Sequence, residues 1–347
     1  TLVPLEQLAT PAIPGLAWPR VLHTAHRLDF GPHFAEGLVE KQPPGVGAAY
    51  HSLVPAVDRL GNDQLELRPL ARLLAQRISG AWGRQVVVEH RPGANNQIAA
   101  EYVTKSAPDG YTLLVSPEGT FAVNPSLYKR LPYDPVNGFT PIAGLVIINH
   151  GLLLHPSVPV DNVKDLIALA KKKPGSLNYG TFGAGSSGHL NMEMFQTLSG
   201  AKLTAVHYKG ATPALTDVIG GHIQMMFVSV GTAVPQWKQR KVKFIAVGAA
   251  KRMALLPEMP TVAESGVPGY EAVSWFGLFG PAGMPAGVVA KLNGEVRRMF
   301  ADPELRKTLD QQYFTPIVGS PEELTARIRT EEPKWRKVIQ AAGLPPQ

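Results

Sequence analysis

The sequence predicts an α/β protein built as two lobes joined by crossing strands. Strand-like and helix-like runs alternate from about Pro69, the alternation restarts after residue 150, and the late apolar run SWFGLFGPAG reads as a return crossing. Residues 51–150 and 276–347 are expected to form one lobe and residues 151–275 the other. Residues 1–50 form an irregular N-terminal segment on this reading.

The elements follow in order. LARLLAQRISGAW carries Leu70, Leu73, Leu74 and Ile78 at helical spacing, and Gly83 closes it. QVVVEH is a short buried strand. RPGANNQ is a turn whose Asn96 is expected to cap the helix QIAAEYVTKS. Pro108, Asp109 and Gly110 then turn the chain into the strand YTLLV. In the second unit, VDNVKDLIALAKKK is a helix with Asp161 expected at its N-cap, stopped at Pro174–Gly175. The strand LNYGTF, the helix LNMEMFQTLSG, the strand LTAVHY and the helical run in KGATPALTDVIGG come next. IQMMFVSV and KFIAVGAA are further strands. Thr261 and Glu264 have capping-box spacing for a very short helix ended by Gly266. After EAVSWFGLFGP come the helices PAGVVAKLNGEVRRMF and DPELRKTL. A last helix has Ser320 at its N-cap, Pro321 at its first position and Glu323 at its third.

Bulk composition narrows the function classes. Of 347 residues, 44% are apolar and 18% charged, which is ordinary for a globular chain of two-domain length. No apolar run reaches the roughly eighteen residues of a membrane span. The absence of cysteine from this sequence excludes disulfides, thiolate metal sites and cysteine nucleophiles. The net charge of +7 comes from scattered basic residues, and the triplet Lys171–Lys173 closes a helix where cations suit the macrodipole. Without a basic stripe and interleaved aromatics, no nucleic-acid partner is expected; small anions suit a diffuse positive surface. The opening TLVPLEQLATPAIPGLAWPR has four prolines and lacks a charged n-region leading into an apolar h-region, so no signal peptide is read there. Up to about Tyr50 there is no hydrophobic period, and the segment is expected to add few core contacts and to be trimmed by limited proteolysis.

TFGAGSSGHL, residues 181–190, joins a strand to a helix and spells G-x-G-x-x-G through Gly183, Gly185 and Gly188. A dinucleotide site also needs an acid about twenty residues on, and Tyr208 and Lys209 stand there instead. What survives is a helix start. Unpaired N–H groups at Gly185 to Gly188, backed by the helix dipole and by the hydroxyls of Ser186 and Ser187, can hold an anion without a cationic side chain. A plain strand-to-helix turn with a serine cap stays open as the alternative. Gly-x-Ser-x-Gly is absent, because Ala184 and His189 occupy the flanking positions; His189 reads as a surface or capping residue. No metal-ligand spacing occurs. A second polar loop, SPEGTFAVNP, follows YTLLV in the other lobe and carries Ser116, Gly119 and Thr120. Two such loops facing one another suit a ligand with an acidic group at each end, although two solvated turns would look the same.

RPGANNQIAAEYV, APDGYTLLVS, NPSLYKRLPYDPVNGF, LNYGTFGAGSSGHL, VHYKGATPALTDVIGG, AAKRMALLPEMPTVAESGVPGYE and SWFGLFGPAGMPAGVVAKLN, in this order, resemble the Bug family, the solute receptors of bacterial tripartite tricarboxylate transporters. The likeness spans roughly residues 69–345. It implies a two-lobed periplasmic-binding-protein fold of the Venus-flytrap, type II-like kind. It also implies a periplasmic monomer that binds a small carboxylate, has no cofactor, metal or catalytic residue, and has transporter membrane subunits as partner. Carried over by position, the ligand residues are Ser116, Gly119, Thr120, Thr181, Gly185, Ser186, Ser187, Tyr208, Lys209, Gly210, Ala211 and Ser229. Many members have Asp where Val228 stands here, which favours a ligand without an ammonium group. The family's opening glycine-rich loop is replaced by HSLVPAVDRLGNDQLELRP, so the first strand is expected to be lost or rebuilt. That departure leaves a receptor with impaired binding, or one that serves a sensor, as the second reading. A serine hydrolase or nucleotide-dependent enzyme using the 181–190 loop is the third.

Overall fold

The computed structural model describes residues 51–55, 63–91 and 93–346. Residues 1–50, with the expectation placed on them, lie outside the described residues. The first strand is present: His51–Pro55 (β1) runs parallel to Val86–Val88 (β2) and Thr112–Pro117 (β3). Of the two outcomes expected for that strand, lost or rebuilt, its loss is corrected. LVP at 53–55 keeps its ladder partners Val88, Leu114 and Val115 although the glycine-rich sequence after it is gone. Order also begins before Pro69, which lies inside the helix Asp63–Trp82 (α1).

Gln97–Thr104 (α2) follows β2, and a π-helical turn, Gly119–Val123, follows β3 and leads into Asn124–Leu127 (α3). Then comes a 16-residue strand, Phe139–Leu154 (β4), that the sequence pattern does not announce. Its first half pairs antiparallel with Val273–Pro281 (β9) and Phe314–Pro316 (β10); its second half pairs with Met225–Ser229 (β7) and Lys243–Val247 (β8). β9 in turn pairs with β3, and β7 is parallel to Asn178–Thr181 (β5), which is parallel to Thr204–His207 (β6). The strand order is β2-β1-β3-β9-β4-β7-β5-β6. β4 is the strand shared by the two halves of the sheet.

Each half is covered on both faces. α1, Ala286–Ala301 (α8) and Pro303–Gln311 (α9) bury Leu74, Val288, Leu292 and Leu305 on one face of the first half. α2 and the π-turn bury Ala100, Val103 and Phe121 with Trp275 and Phe279 on the other. In the second half, Val163–Lys172 (α4) and Ser187–Ser199 (α5) pack on one face; Ala211–Ile219 (α6) and Val230–Lys238 (α7) pack on the other. The last helix, Pro321–Ala341 (α10), serves both halves. Leu324 near its start joins the Phe121–Trp275 core, whereas Trp335, Val338 and Ile339 join the core under α5.

Local grammar explains most boundaries. α10 has the full capping box between Ser320 and Glu323. At α4 the cap is Asn162, not Asp161: Asn162 is extended (φ −149°) and its side chain accepts from the Asp165 N–H at 2.9 Å, while Asp161 pairs with Lys243 at 2.8 Å. Asn96 stands at the N-cap of α2 without capping it. Its left-handed backbone (φ 71°) lacks the extended conformation from which a side chain reaches back. Thr261 Oγ accepts from the Glu264 N–H at 3.1 Å, but the segment closes as turns rather than as a helix.

Candidate anion site at the helix starts

β5, β6 and β7 are parallel, so their C-terminal ends share one edge of the sheet, and a helix begins just beyond each. That edge is where an open α/β sheet places ligands. α6 starts behind Gly210 (φ 135°), whose conformation a side chain would strain. α7 starts at Val230, directly after Ser229, with no connecting loop.

Thr181, Gly183, Gly185, Ser186 and His189 tie the loop 181–189 internally. Thr181 is fully buried; its Oγ accepts from the Gly183 N–H at 3.2 Å and lies 2.7 Å from His207 Nδ1. Ser186 caps α5: its hydroxyl donates to the Gly183 carbonyl at 2.7 Å and accepts from the His189 N–H. The Ser186 N–H also bonds to Gly183 O, and the Gly185 N–H donates to His189 Nδ1 at 3.0 Å. The expectation of free N–H groups from Gly185 onward is therefore corrected. The Gly185 and Ser186 N–H groups are occupied, and those of Ser187 and Gly188, in the first turn of α5, have no partner among the described residues. His189 is also not a surface residue, being only 3% exposed.

Behind the loop lies a polar cluster. His189 Nε2 is 3.6 Å from a Glu193 oxygen that also accepts from the Tyr179 hydroxyl and, at 2.9 Å, from Gln196. Burial, with His207 beside it, pushes the His189 imidazole down to about 4. The Tyr179 hydroxyl is pushed up by burial and by the Glu193 carboxylate that accepts from it.

The other predicted loop comes close. A Cβ on Gly185 would fall 2.6 Å from Leu127 Cδ1, so α3 packs directly against the 183–187 turn. Ser116 and Thr120 are both buried, with their hydroxyls 2.7 Å apart. Gly119 borders open space: a Cβ there would meet nothing within 4 Å. The Tyr208 N–H bonds to Thr181 O at 3.0 Å, bringing the third predicted segment beside the second, but the Tyr208 hydroxyl turns away to Asp217 at 2.7 Å. Lys209 is exposed and Ala211 buried. Ser229 is buried, opposite His150 on β4, and donates to Thr232 Oγ at 3.0 Å. Sequence reasoning missed His207, Glu193, Tyr179 and Leu127 and misplaced His189. The spacing of Gly185, His189 and Glu193, four residues apart each time, was the available signal.

A family profile described as "Tripartite tricarboxylate transporter family receptor" matches residues 70–344. The chain belongs to that family. Among solved structures, this receptor is similar to R. palustris Rpa4515 with adipate, at 35% identity and TM-score 0.77 over 86% of this chain and 98% of that one. It is similar to the periplasmic binding protein BugD at 31% identity and TM-score 0.73, over 86% and 99%. It also matches MatC from Rhodopseudomonas palustris with bound malate, at 28% identity and TM-score 0.71, over 84% and 99%. The receptor has the two-lobed periplasmic-binding-protein fold and is a solute receptor of the Bug kind. Among the described residues no helix is long and apolar enough to cross a membrane, and no metal-binding cluster occurs.

Proposed function

We propose that this protein binds a small mono-, di- or tricarboxylate between its lobes in the periplasm and delivers it, as a monomer without catalytic activity, to the membrane subunits of a tripartite tricarboxylate transporter. The observation that carries this reading is the start of α5, where the Ser187 and Gly188 N–H groups have no partner among the described residues while those of Gly183, Gly185 and Ser186 are taken up within the turn. A carboxylate meets such donors and the positive end of the helix dipole at once, with no cation required. The starts of α6 and α7 at the same edge, and the 116–120 loop from the other lobe, supply the remaining wall. Ser116, Gly119, Thr120, Thr181, Gly185, Ser186, Tyr208, Lys209, Gly210, Ala211 and Ser229 line or shape it. The lobes comprise residues 51–150 with 276–347, and residues 151–275. Adipate and malate in the related structures support an acidic ligand.

An enzyme reading finds less support. The close hydroxyl–imidazole pair, Thr181 with His207, has a fully buried threonine whose oxygen is shared with the Gly183 backbone. A thermal-shift screen of mono-, di- and tricarboxylates tests the proposal. A ligand present at a hundred times its dissociation constant stabilises the native state by about 2.7 kcal/mol. A panel in which none of these acids raises the melting temperature, with the protein folded, contradicts it.

A further inference from the structure

We infer that His189 is a positioning residue for the anion loop: its Nδ1 takes the Gly185 N–H and so holds the Gly183–Ser187 turn in the arrangement that leaves the Ser187 and Gly188 N–H groups free. This inference rests on the reading of that loop as the carboxylate-holding site.

The geometry begins with helix direction. His189 is the third residue of α5, and side chains in a first turn lean back toward the N-terminus, over residues three and four earlier. Its ring therefore reaches Gly185, 3.0 Å from that N–H. A donor at Nδ1 requires a lone pair there, so the ring proton sits on Nε2, the nitrogen facing Glu193 at 3.6 Å. Glu193 is itself held by Tyr179 from β5 and by Gln196. The Nε2 proton thus faces a carboxylate oxygen already held by two other donors. The ring lies nearly parallel to Tyr179, at 20° and 6.4 Å, and edge-on to His207 of β6 at 5.0 Å. Gly185 is buried, so without this acceptor its N–H would lose its partner away from water, and the turn would reorganise to satisfy it.

The titratable groups facing the ring are Glu193 on its own helix, His207 on β6 and Tyr179 on β5. Burial and His207 oppose a proton on it, so the acceptor form holds through neutral pH. An imidazolium would present an N–H to the Gly185 N–H, and the turn would open.

A histidine that merely fills the core would be replaced without consequence by an apolar ring, which separates the two roles. His189→Phe keeps the ring and removes the acceptor; His189→Asn gives up the ring and keeps an acceptor oxygen near the Nδ1 position. Three readouts apply: the imidazole 15N shifts of the wild type, the Gly185 amide exchange rate, and calorimetry against adipate and malate. The wild type should show an unprotonated Nδ1 and a protonated Nε2. In His189→Phe, Gly185 exchange should rise and carboxylate affinity fall, each on the order of tenfold. His189→Asn should recover most of both. A wild-type ring protonated at Nδ1, or unchanged Gly185 protection in His189→Phe, overturns the inference. If His189→Phe fails to fold, the wild-type tautomer and the exchange rate in His189→Asn decide. If no carboxylate binds the wild type while Gly185 protection follows the acceptor, the positioning role stands and the carboxylate reading falls.

Discussion

The two loops that meet at Leu127 and Gly185 are fixed by different chemistry. The 116–124 segment is held by buried amides and a phenol, and by the Glu118 carboxylate, which accepts from the Trp275 N–H at 3.1 Å. Asn124 Nδ2 donates to Asn95 O at 2.9 Å and to the Tyr133 hydroxyl at 3.0 Å, and that hydroxyl donates to Thr120 O at 2.8 Å. Burial raises the Tyr133 hydroxyl far above its ordinary range, so nothing in this chain of contacts changes charge under ordinary conditions. The 181–189 loop instead hangs on an imidazole. Both hold a backbone still, one with a buried carboxylate among its anchors and the other with an imidazole. Rigidity at a loop thus has a chemical identity, and that identity decides which solution condition undoes it.

The largest effect is expected where the loops touch. Gly185→Val places a β-branched side chain at φ 76° and against Leu127, whose Cδ1 lies 2.6 Å from the new Cβ. Left-handed strain and overpacking together should cost on the order of 2–5 kcal/mol, read as lost carboxylate affinity by calorimetry and lost stability by urea unfolding. Unchanged affinity in a folded variant would remove this turn from the site.

Acid should have the next largest effect. His150, buried on β4, and His189 are both pushed down to about 4 from an ordinary 6.5. Their folded-state values are depressed, so the unfolded chain binds protons first. Their stabilisation is complete above about 6.5 and is lost as pH falls toward 4. Urea midpoints should fall across that window, and His189→Asn should reduce the slope. A flat profile would mean that neither ring is held neutral.

A smaller loss is expected at the Asn124–Tyr133–Thr120 contacts. Tyr133→Phe strands the Thr120 carbonyl and an Asn124 proton, and should cost about 1–3 kcal/mol of unfolding free energy without altering the pH profile. A changed profile would break the comparison between the loops. The smallest effect belongs to Ser187→Ala. If backbone N–H groups hold the ligand, removing this hydroxyl should weaken binding by no more than about 0.5–1.5 kcal/mol by calorimetry.

Much of the fold was legible because its elements obey short-range rules. Ser320, Pro321 and Glu323 announced α10, and Leu70, Leu74 and Ile78 announced α1. β4 was missed because FTPIAGLVIINHGLLL is mostly buried on both faces, so it has no alternation, and Pro141 and Gly144 within it read as breakers. α7 was missed because it begins at Val230 with no intervening turn and contains Pro235. At the site, the helix start and its glycines were readable as local grammar. The partners of that grammar were not: His207 reaches Thr181 from another strand, Leu127 reaches Gly185 from the other loop, and His189 looked like a surface residue until packing enclosed it.

The central claim is that a negative charge is held by backbone donors at the start of α5. Calorimetric titration with the tightest-binding acid of the carboxylate screen, beside its neutral amide of the same shape, tests it most directly. Charge-assisted hydrogen bonds are about twice as strong as neutral ones, so the amide should bind at least on the order of tenfold more weakly. Equal affinity for the acid and its amide would contradict the account.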